Sequence, residues 1–373
     1  MSTRGLIVLL AAVAVLVLLA VLGQRGADAP TSGQGTKLLP GLEAALNDVE
    51  RISLVKAGGE AVTTLERRPD TWVVVEKGGY PADVAKIRQS LLALSEARVL
   101  EQKTANPELY DRLGVEDIQS DTAAGIAISL AASGHELPTL ILGNAEGTKY
   151  RYARLAGEPQ SYLIDRDPDL PRTAAQWVDA NVVDVRGARV QQVTITHPDG
   201  ELVTISKADP AAMNFDVANV PAGRELLYPG VANVIGNALR EVNLEDVERI
   251  DVNATDAATN EQQQEVVVEF RTFDGLVVTA RGAERGDQAW VRFEANFSAE
   301  QAAQFAAVAV VGDDVGDGAA SDDSDGNDEG QAADVSAEAA RINQRVAGWR
   351  YRIAGYQYDQ MTKRMADLLK PAA

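Results

Sequence analysis

QQVTITHPDGELVTISK, residues 191–207, sets the near-alternating apolar residues Val193, Ile195, Leu202, Val203 and Ile205 on either side of His197-Pro198-Asp199-Gly200. Alternation with a period of two marks a half-buried strand, and two such runs about a short glycine-containing turn read as a hairpin. The centre pairs a histidine with an aspartate, so it reads as chemistry or as a turn. A second stretch decides between them. VERISLVKAGGEAVTTLERR, residues 49–68, repeats the pattern with Ile52, Leu54, Val62 and Leu65, yet its turn, Lys56 to Glu60, has neither histidine nor aspartate. Pro fixes φ, Asp bonds its own backbone and Gly accepts positive φ, which is what a tight turn requires. His197 is therefore a turn residue.

The correspondence extends beyond the hairpins. Each is followed by a third strand (TWVVVEK, 71–77; NFDVAN, 214–219), a Tyr-Pro pair (Tyr80-Pro81; Tyr228-Pro229) and a helical pattern (83–99; 229–247). In the first helix Val84, Ile87, Leu91 and Leu94 share one face; in the second Val231, Val234, Ile235, Ala238 and Leu239 do. Further strands then follow: 125–133, 137–143, 149–157 and 161–165 in one copy, 265–273, 275–282 and 289–297 in the other. Evenly spaced strands with short turns form antiparallel sheet. The expected fold class is α+β, an internally duplicated unit of antiparallel sheet plus helix. The expected boundaries are an anchor at 1–25, a tether at 26–48, a first repeat at 49–185 and a second at 186–373.

The bulk numbers narrow the function. A formal charge of −20 excludes nucleic acid as the expected partner, because that binding needs a basic face to displace counterions. With no cysteine, disulfides, thiolate metal sites and a cysteine nucleophile are excluded. Leu6 to Leu22 is seventeen consecutive residues of Leu, Ile, Val and Ala. As a helix it would span roughly 26 Å, enough for a bilayer core of about 30 Å. Ala27-Asp28-Ala29 offers a signal-peptidase pattern, but the long apolar run and Pro30 favour an uncleaved anchor. Arg4 on the short side predicts N-in, with the acidic body in the periplasm or outside the cell.

The run from Trp72 through YPAD and the first helix to KTANPELYDRLGV, with WRYRIAGYQYDQMTKRMADLLK at 349–370, resembles the domain of unknown function 4340 family. The resemblance implies a membrane-anchored bacterial envelope protein, a companion of ABC-type export systems related to gliding-motility transporters. It carries no catalytic residues over. One departure stands out: between the helix starts at Ser298, with Gln301 as its capping-box partner, and Ser336 lies a Gly/Ser/Asp-rich acidic block. Such a block buries too little apolar surface to fold, so an unstructured insertion is expected at about 312–335.

Candidate chemistry is thin. An EF-hand template placed on Asp323, Asp325, Gly326 and Asp328 fails at both ends, Ser321 and Ala332. His135 to Thr139 begins like a zinc-protease motif but lacks the second histidine, and Pro138 breaks the helix it needs. Gly230 and Gly236, around helix-forming residues after a proline, read as packing rather than a phosphate cradle. Trp72, Trp177, Trp290 and Trp349 read as core rather than a carbohydrate platform. Asn106 to Gly114 reads as a capped short helix closing its own repeat, and the amphipathic stretch 359–370 as a final helix. No catalytic, cofactor-binding or metal-binding residue is assigned. The expected function is a non-catalytic, membrane-tethered accessory or scaffold protein of an envelope ABC-type transport complex. Its partners would be a permease or auxiliary protein, and the bilayer through 6–22. The alternative is a glycan- or peptide-binding module using a groove between the repeats.

Overall fold

The computed structural model describes residues 35–250, 264–309 and 324–371, without the side chains of 306–309 and 324–331. The apolar run 6–22 lies outside them, and no helix among the described residues is long and apolar enough to cross a membrane. The chain forms two units. One runs through Glu76 and from Pro81 to Trp177; the other takes Lys77–Tyr80 and everything from Val178. The change falls earlier than 185/186 because Asn181–Val183 already pairs into the second sheet.

The first unit comprises α1 (Leu42–Ala45), β1 (Val49–Lys56), β2 (Glu60–Arg67), β3 (Trp72–Val74), β4 (Tyr80–Pro81), α2 (Val84–Glu96), β5 (Val99–Gln102), α3 (Tyr110–Leu113), β6 (Ile126–Ala132), β7 (Leu140–Glu146), β8 (Tyr150–Leu155) and β9 (Ser161–Ile164). Its sheet runs β4-β3-β2-β1-β6-β7-β8-β9-β5. The expected tether is folded from Gly35 on: Leu38, Leu39, Leu42 and Ala45 are buried, and that burial holds the segment down. Asp83 caps α2 by accepting from the Lys86 N–H at 2.9 Å. Ile87, Leu91 and Leu94 go to the core, but Val84 does not, being 39% exposed.

The second unit comprises β10 (Asn181–Val183), β11 (Val190–Thr196), β12 (Leu202–Ser206), β13 (Asp216–Val217), α4 (Asn233–Gly236), β14 (Val242–Arg249), β15 (Val266–Thr272), β16 (Leu276–Arg285), β17 (Gln288–Phe297), α5 (Ala299–Ala309), α6 (Ser324–Val346), β18 (Trp349–Ile353), α7 (Gly355–Met361) and α8 (Met365–Leu368). Its sheet, read from the β13 edge, runs β13-β12-β11-β15-β16-β17-β18-β14-β10. Set β4 and β10 aside and the two orders match strand for strand. The irregularities match too. The β1–β6 register shifts between Val49 and Arg51, the β11–β15 register between Val190 and Gln192. The same recurs between Val99 and Glu101 of β5 and between Leu244 and Asp246 of β14. A bulge inserts one residue and re-aims the strand.

Three expectations for this unit need correction. The second long helix is absent: α4 is one short turn, and Val242–Arg249 is strand. The asparagines work against helix, with Asn237 Nδ2 donating to the Asn233 carbonyl at 2.8 Å and Asn233 Oδ1 accepting from the Phe215 N–H at 3.0 Å. Gly236 lets Phe215 lie against the backbone, since a Cβ there would fall 2.2 Å from its ring. The expected insertion is helical from Ser324 onward, and residues 312–323 lie outside the described residues. Val335, Ala339 and Val346 bury one face of α6. Asn343 grips β17 through both polar atoms, Nδ2 donating to the Ala295 carbonyl at 2.6 Å and Oδ1 accepting from its N–H at 2.9 Å. The final helix breaks in two at Thr362–Arg364, where Thr362 Oγ1 donates to the Tyr358 carbonyl at 2.8 Å.

An ion cluster also holds α6. Arg189 donates two hydrogen bonds to Glu338, at 2.9 and 2.8 Å, and a third to Asp274 at 2.9 Å. The Glu338 carboxylate raises the guanidinium pKa against the opposing effect of burial. Replacing Arg189 with Met should leave two half-buried carboxylates unanswered and loosen α6 from the sheet. The expected signature is faster hydrogen exchange along 335–346 with β1–β9 unchanged; equal protection in the variant would show that Val335 and Ala339 suffice alone.

Candidate functional site

Most residues singled out in the sequence lie among the described ones. His197 donates its N–H to the Glu201 carbonyl at 2.9 Å, and the Gly200 N–H donates back to the His197 carbonyl at 2.9 Å. The element is a turn, as expected, with Gly200 at φ 87°. His197 is buried and Asp199 is turned towards Arg364, which bonds Asp199 at 2.8 Å and also bonds Glu201. His135 sits in the β6–β7 turn with Nε2 3.2 Å from Asp48 Oδ2. Of the EF-hand template, Asp323 and the side chains of Asp325 and Asp328 lie outside the described residues. Among the described residues no three His, Asp or Glu side chains group to hold a metal.

Asn106 accepts from the Glu108 N–H at 3.1 Å and Gly114 ends the short helix at φ 67°. Its Tyr110 and Val115 pack with Ala127 and Ile141, closing the unit's own core. The Ser298 hydroxyl caps α5 by accepting from the Gln301 N–H at 3.2 Å, while the Gln301 side chain donates to Gln191 instead of completing the box. Trp177 and Trp290 are core residues, 1% and 8% exposed. Trp72 and Trp349 are only half-buried.

Trp72 leads to the feature that the sequence reading missed. Within the first unit, α2, the β2–β3 turn and residues 46–49 enclose an open groove of about 450 Å³. That lies within the range of ligand pockets, about 300–1,000 Å³. Its apolar surface includes Val49, Trp72, Val84, Ile87, Leu91 and Leu92. Val84 and Leu92 remain 39% and 44% exposed. Helical geometry explains them: Val84, Arg88 and Leu92 recur every four residues, a stripe adjoining the Ile87/Leu91 core face. The sequence reading placed Val84 with Ile87, Leu91 and Leu94 on one core face, and the 84/88/92 spacing marks this stripe but not the segments that meet it to form the groove.

Three arginines stand over this floor: Arg67, Arg68 and Arg88, with Asp70 the one acidic lining residue. Arg67 donates to the Asn47 carbonyl at 2.7 Å, which orients it without neutralising it. Arg68 donates to Glu66 at 2.8 Å, but Glu66 also serves Arg51 at 3.1 Å. Arg88 is exposed and makes no hydrogen bond or ion pair with the described residues.

The first unit also holds two buried arginines that are structural. Arg151 forks onto Asp167 through two bonds of 2.6 Å and donates to the Gly143 carbonyl at 2.7 Å. Burial acts to raise the Asp167 pKa, but the Arg151 guanidinium and the Asp169 N–H outweigh it and hold the carboxyl below its usual range. A folded-state pKa lowered below the unfolded value, about 3.9, adds stability above that pH and loses it as pH falls through the folded value. Asp167→Asn should therefore flatten the acid limb of unfolding below about pH 4. Urea midpoints across that range test it, and an unchanged slope in the variant would remove Asp167 from the account.

With the geometry in place, comparison with known proteins gives one finding. The profile of the family described as Domain of unknown function (DUF4340) matches residues 72–265, just over half of the chain. The protein belongs to the DUF4340 family. The match takes in Trp72, α2 and the Asn106–Gly114 turn, and ends at the start of β15; the closing stretch 349–370 lies outside it. No curated protein and no solved structure matches the chain.

Proposed function

We propose that this DUF4340 protein is a non-catalytic accessory protein of a bacterial envelope ABC-type transport complex, and that it acts by docking a partner in the first-unit groove. The groove carries the reading: it combines exposed apolar side chains with Arg88, which has no hydrogen-bond or ion-pair partner among the described residues, an arrangement suited to recognition. We further propose that 6–22 anchors the chain in the inner membrane with the body in the periplasm, and that the matched sheets descend from one duplicated unit. The apolar run and the shared strand order with its recurring bulges support these two statements.

In-cell photo-crosslinking tests the reading. A crosslinking amino acid at Leu92 should capture a permease or auxiliary subunit, whereas one at Tyr356, exposed but in the other unit, should not. Identical products from both positions would end the assignment of the groove. N-terminal sequencing of the membrane-bound form tests the anchor: an intact start supports it, and a start at Pro30 rules it out.

A further inference from the structure

We infer that the occupant of the groove is a peptide segment of a partner protein in which carboxylates are interspersed with apolar side chains. The inference rests on the docking reading above and adds the chemistry of the partner. Charge is the first argument. The chain carries −20 overall, yet its groove is lined by three arginines and one aspartate. The basic lining attracts an acidic segment, while the like net charge of two whole chains works against their association. The arginines are also available. Among the described residues Arg88 has no acidic partner, Arg67 is held by a neutral carbonyl, and Arg68 shares its carboxylate with Arg51. A planar guanidinium offers a bidentate fork matched to a carboxylate.

The floor supplies the second argument. Val84 and Leu92 flank Arg88 on the same helical stripe, with Trp72 also lining the groove. A purely acidic ligand would leave that surface wet, and a purely apolar one would leave Arg88 unanswered and bring no carboxylate to Arg67. A segment carrying both kinds of side chain meets both, the mode in which arginine clusters read acidic motifs. The groove is open rather than enclosed, which suits a chain segment lying along it.

Fluorescence anisotropy on the full-length protein in nanodiscs tests this, with a short labelled peptide alternating leucine and glutamate as the probe. We expect saturable binding that weakens as salt rises, falls about tenfold or more in Arg88→Glu, and falls similarly in Leu92→Ser. Both positions are exposed, so thermal melting should match wild type. Equal binding of a leucine–lysine peptide, or indifference to Arg88→Glu, would overturn the inference. So would Arg88-dependent binding of phosphatidylglycerol vesicles without binding of the peptide, which would name a lipid surface, or Arg88-dependent self-association, which would name a second copy. The two readings fail separately. Crosslinks from position 92 without peptide binding leave the docking site and remove its chemistry. Peptide binding without crosslinks does the reverse.

Discussion

Replacing Arg154 with alanine is expected to destabilise the first unit by about 3–4 kcal/mol, although the residue takes part in no binding surface. Arg154 is 2% exposed on β8. Its Nε donates to the Val115 carbonyl at 2.8 Å, one Nη to the Glu158 carbonyl at 3.0 Å and the other to Asp117 at 2.5 Å. Its guanidinium carbon lies 4.6 Å from the centroid of the Tyr110 ring. The ion pair is the lesser part, since the Asp117 side chain is 73% exposed and screened by water. The carbonyls matter more: each one left buried without a donor costs about 1–3 kcal/mol. Asp117→Asn should therefore change stability by less than about 0.5 kcal/mol. Arg154→Lys should lose most of what alanine loses, because an ammonium cannot reach three acceptors in one plane. Urea unfolding followed by tryptophan fluorescence in a Trp290→Phe/Trp349→Phe background isolates the first unit. If Asp117→Asn proved as damaging as Arg154→Ala, the pair and not the fork would be the anchor.

The hairpins were legible in the sequence because a period of two on a sheet with one buried face leaves little choice. Val193, Ile195, Val203 and Ile205 fall in the core and pair across β11 and β12 as the alternation requires. The turn chemistry of His197–Gly200 was legible for the same local reason. The helical reading of the second copy failed. The spacing of Val231, Val234, Ile235, Ala238 and Leu239 predicts a helix at 229–247, but Asn233 and Asn237 redirect the backbone through side-chain bonds that no periodicity reports, and Gly236 admits the Phe215 ring. Composition misled at Ser324–Asp334. An acidic, glycine-rich run has poor helix propensity, yet the helix continues through it to reach the Val335/Ala339 face that α6 buries.

The groove was hidden for a different reason. It depends on Arg67–Trp72 and Leu46–Val49 meeting α2, a tertiary juxtaposition with no trace in local spacing. Arg151 and Arg154 were hidden likewise, since a strand reading YRYARL counts arginines as solvent-facing. Two adjacent glycine-dependent approaches, at Gly125 and Gly143, were hidden most deeply, because only the folded backbone brings the 113–115 loop against them.

Gly143→Ala should destabilise the first unit by at least about 3 kcal/mol, by forcing atoms into a backbone that cannot retreat. A Cβ at Gly143 would stand 2.2 Å from the Leu113 carbonyl oxygen and 2.7 Å from Val115 Cγ1. Gly125 faces the same loop, with a Cβ there 2.4 Å from the Gly114 carbonyl. These two glycines are the bed on which Leu113-Gly114-Val115 lies, at the end of the Asn106 motif. The loop is pinned from its other side. Val115 is fully buried, its N–H donates to the Tyr110 carbonyl at 3.1 Å, and its carbonyl receives Arg154. Relief of the clash would therefore break the arginine fork. Gly355→Ala is the matched control, because its Cβ would meet nothing within 4 Å. It should leave stability unchanged or slightly higher. Thermal melting separates the two at roughly 2–4 °C per kcal/mol. A Gly143→Ala midpoint equal to that of Gly355→Ala would mean the loop yields freely. Because Gly143 and Arg154 act on one loop, their double variant should lose less than the sum of the single losses. A strictly additive result would show that loop displacement and loss of the fork are separate events.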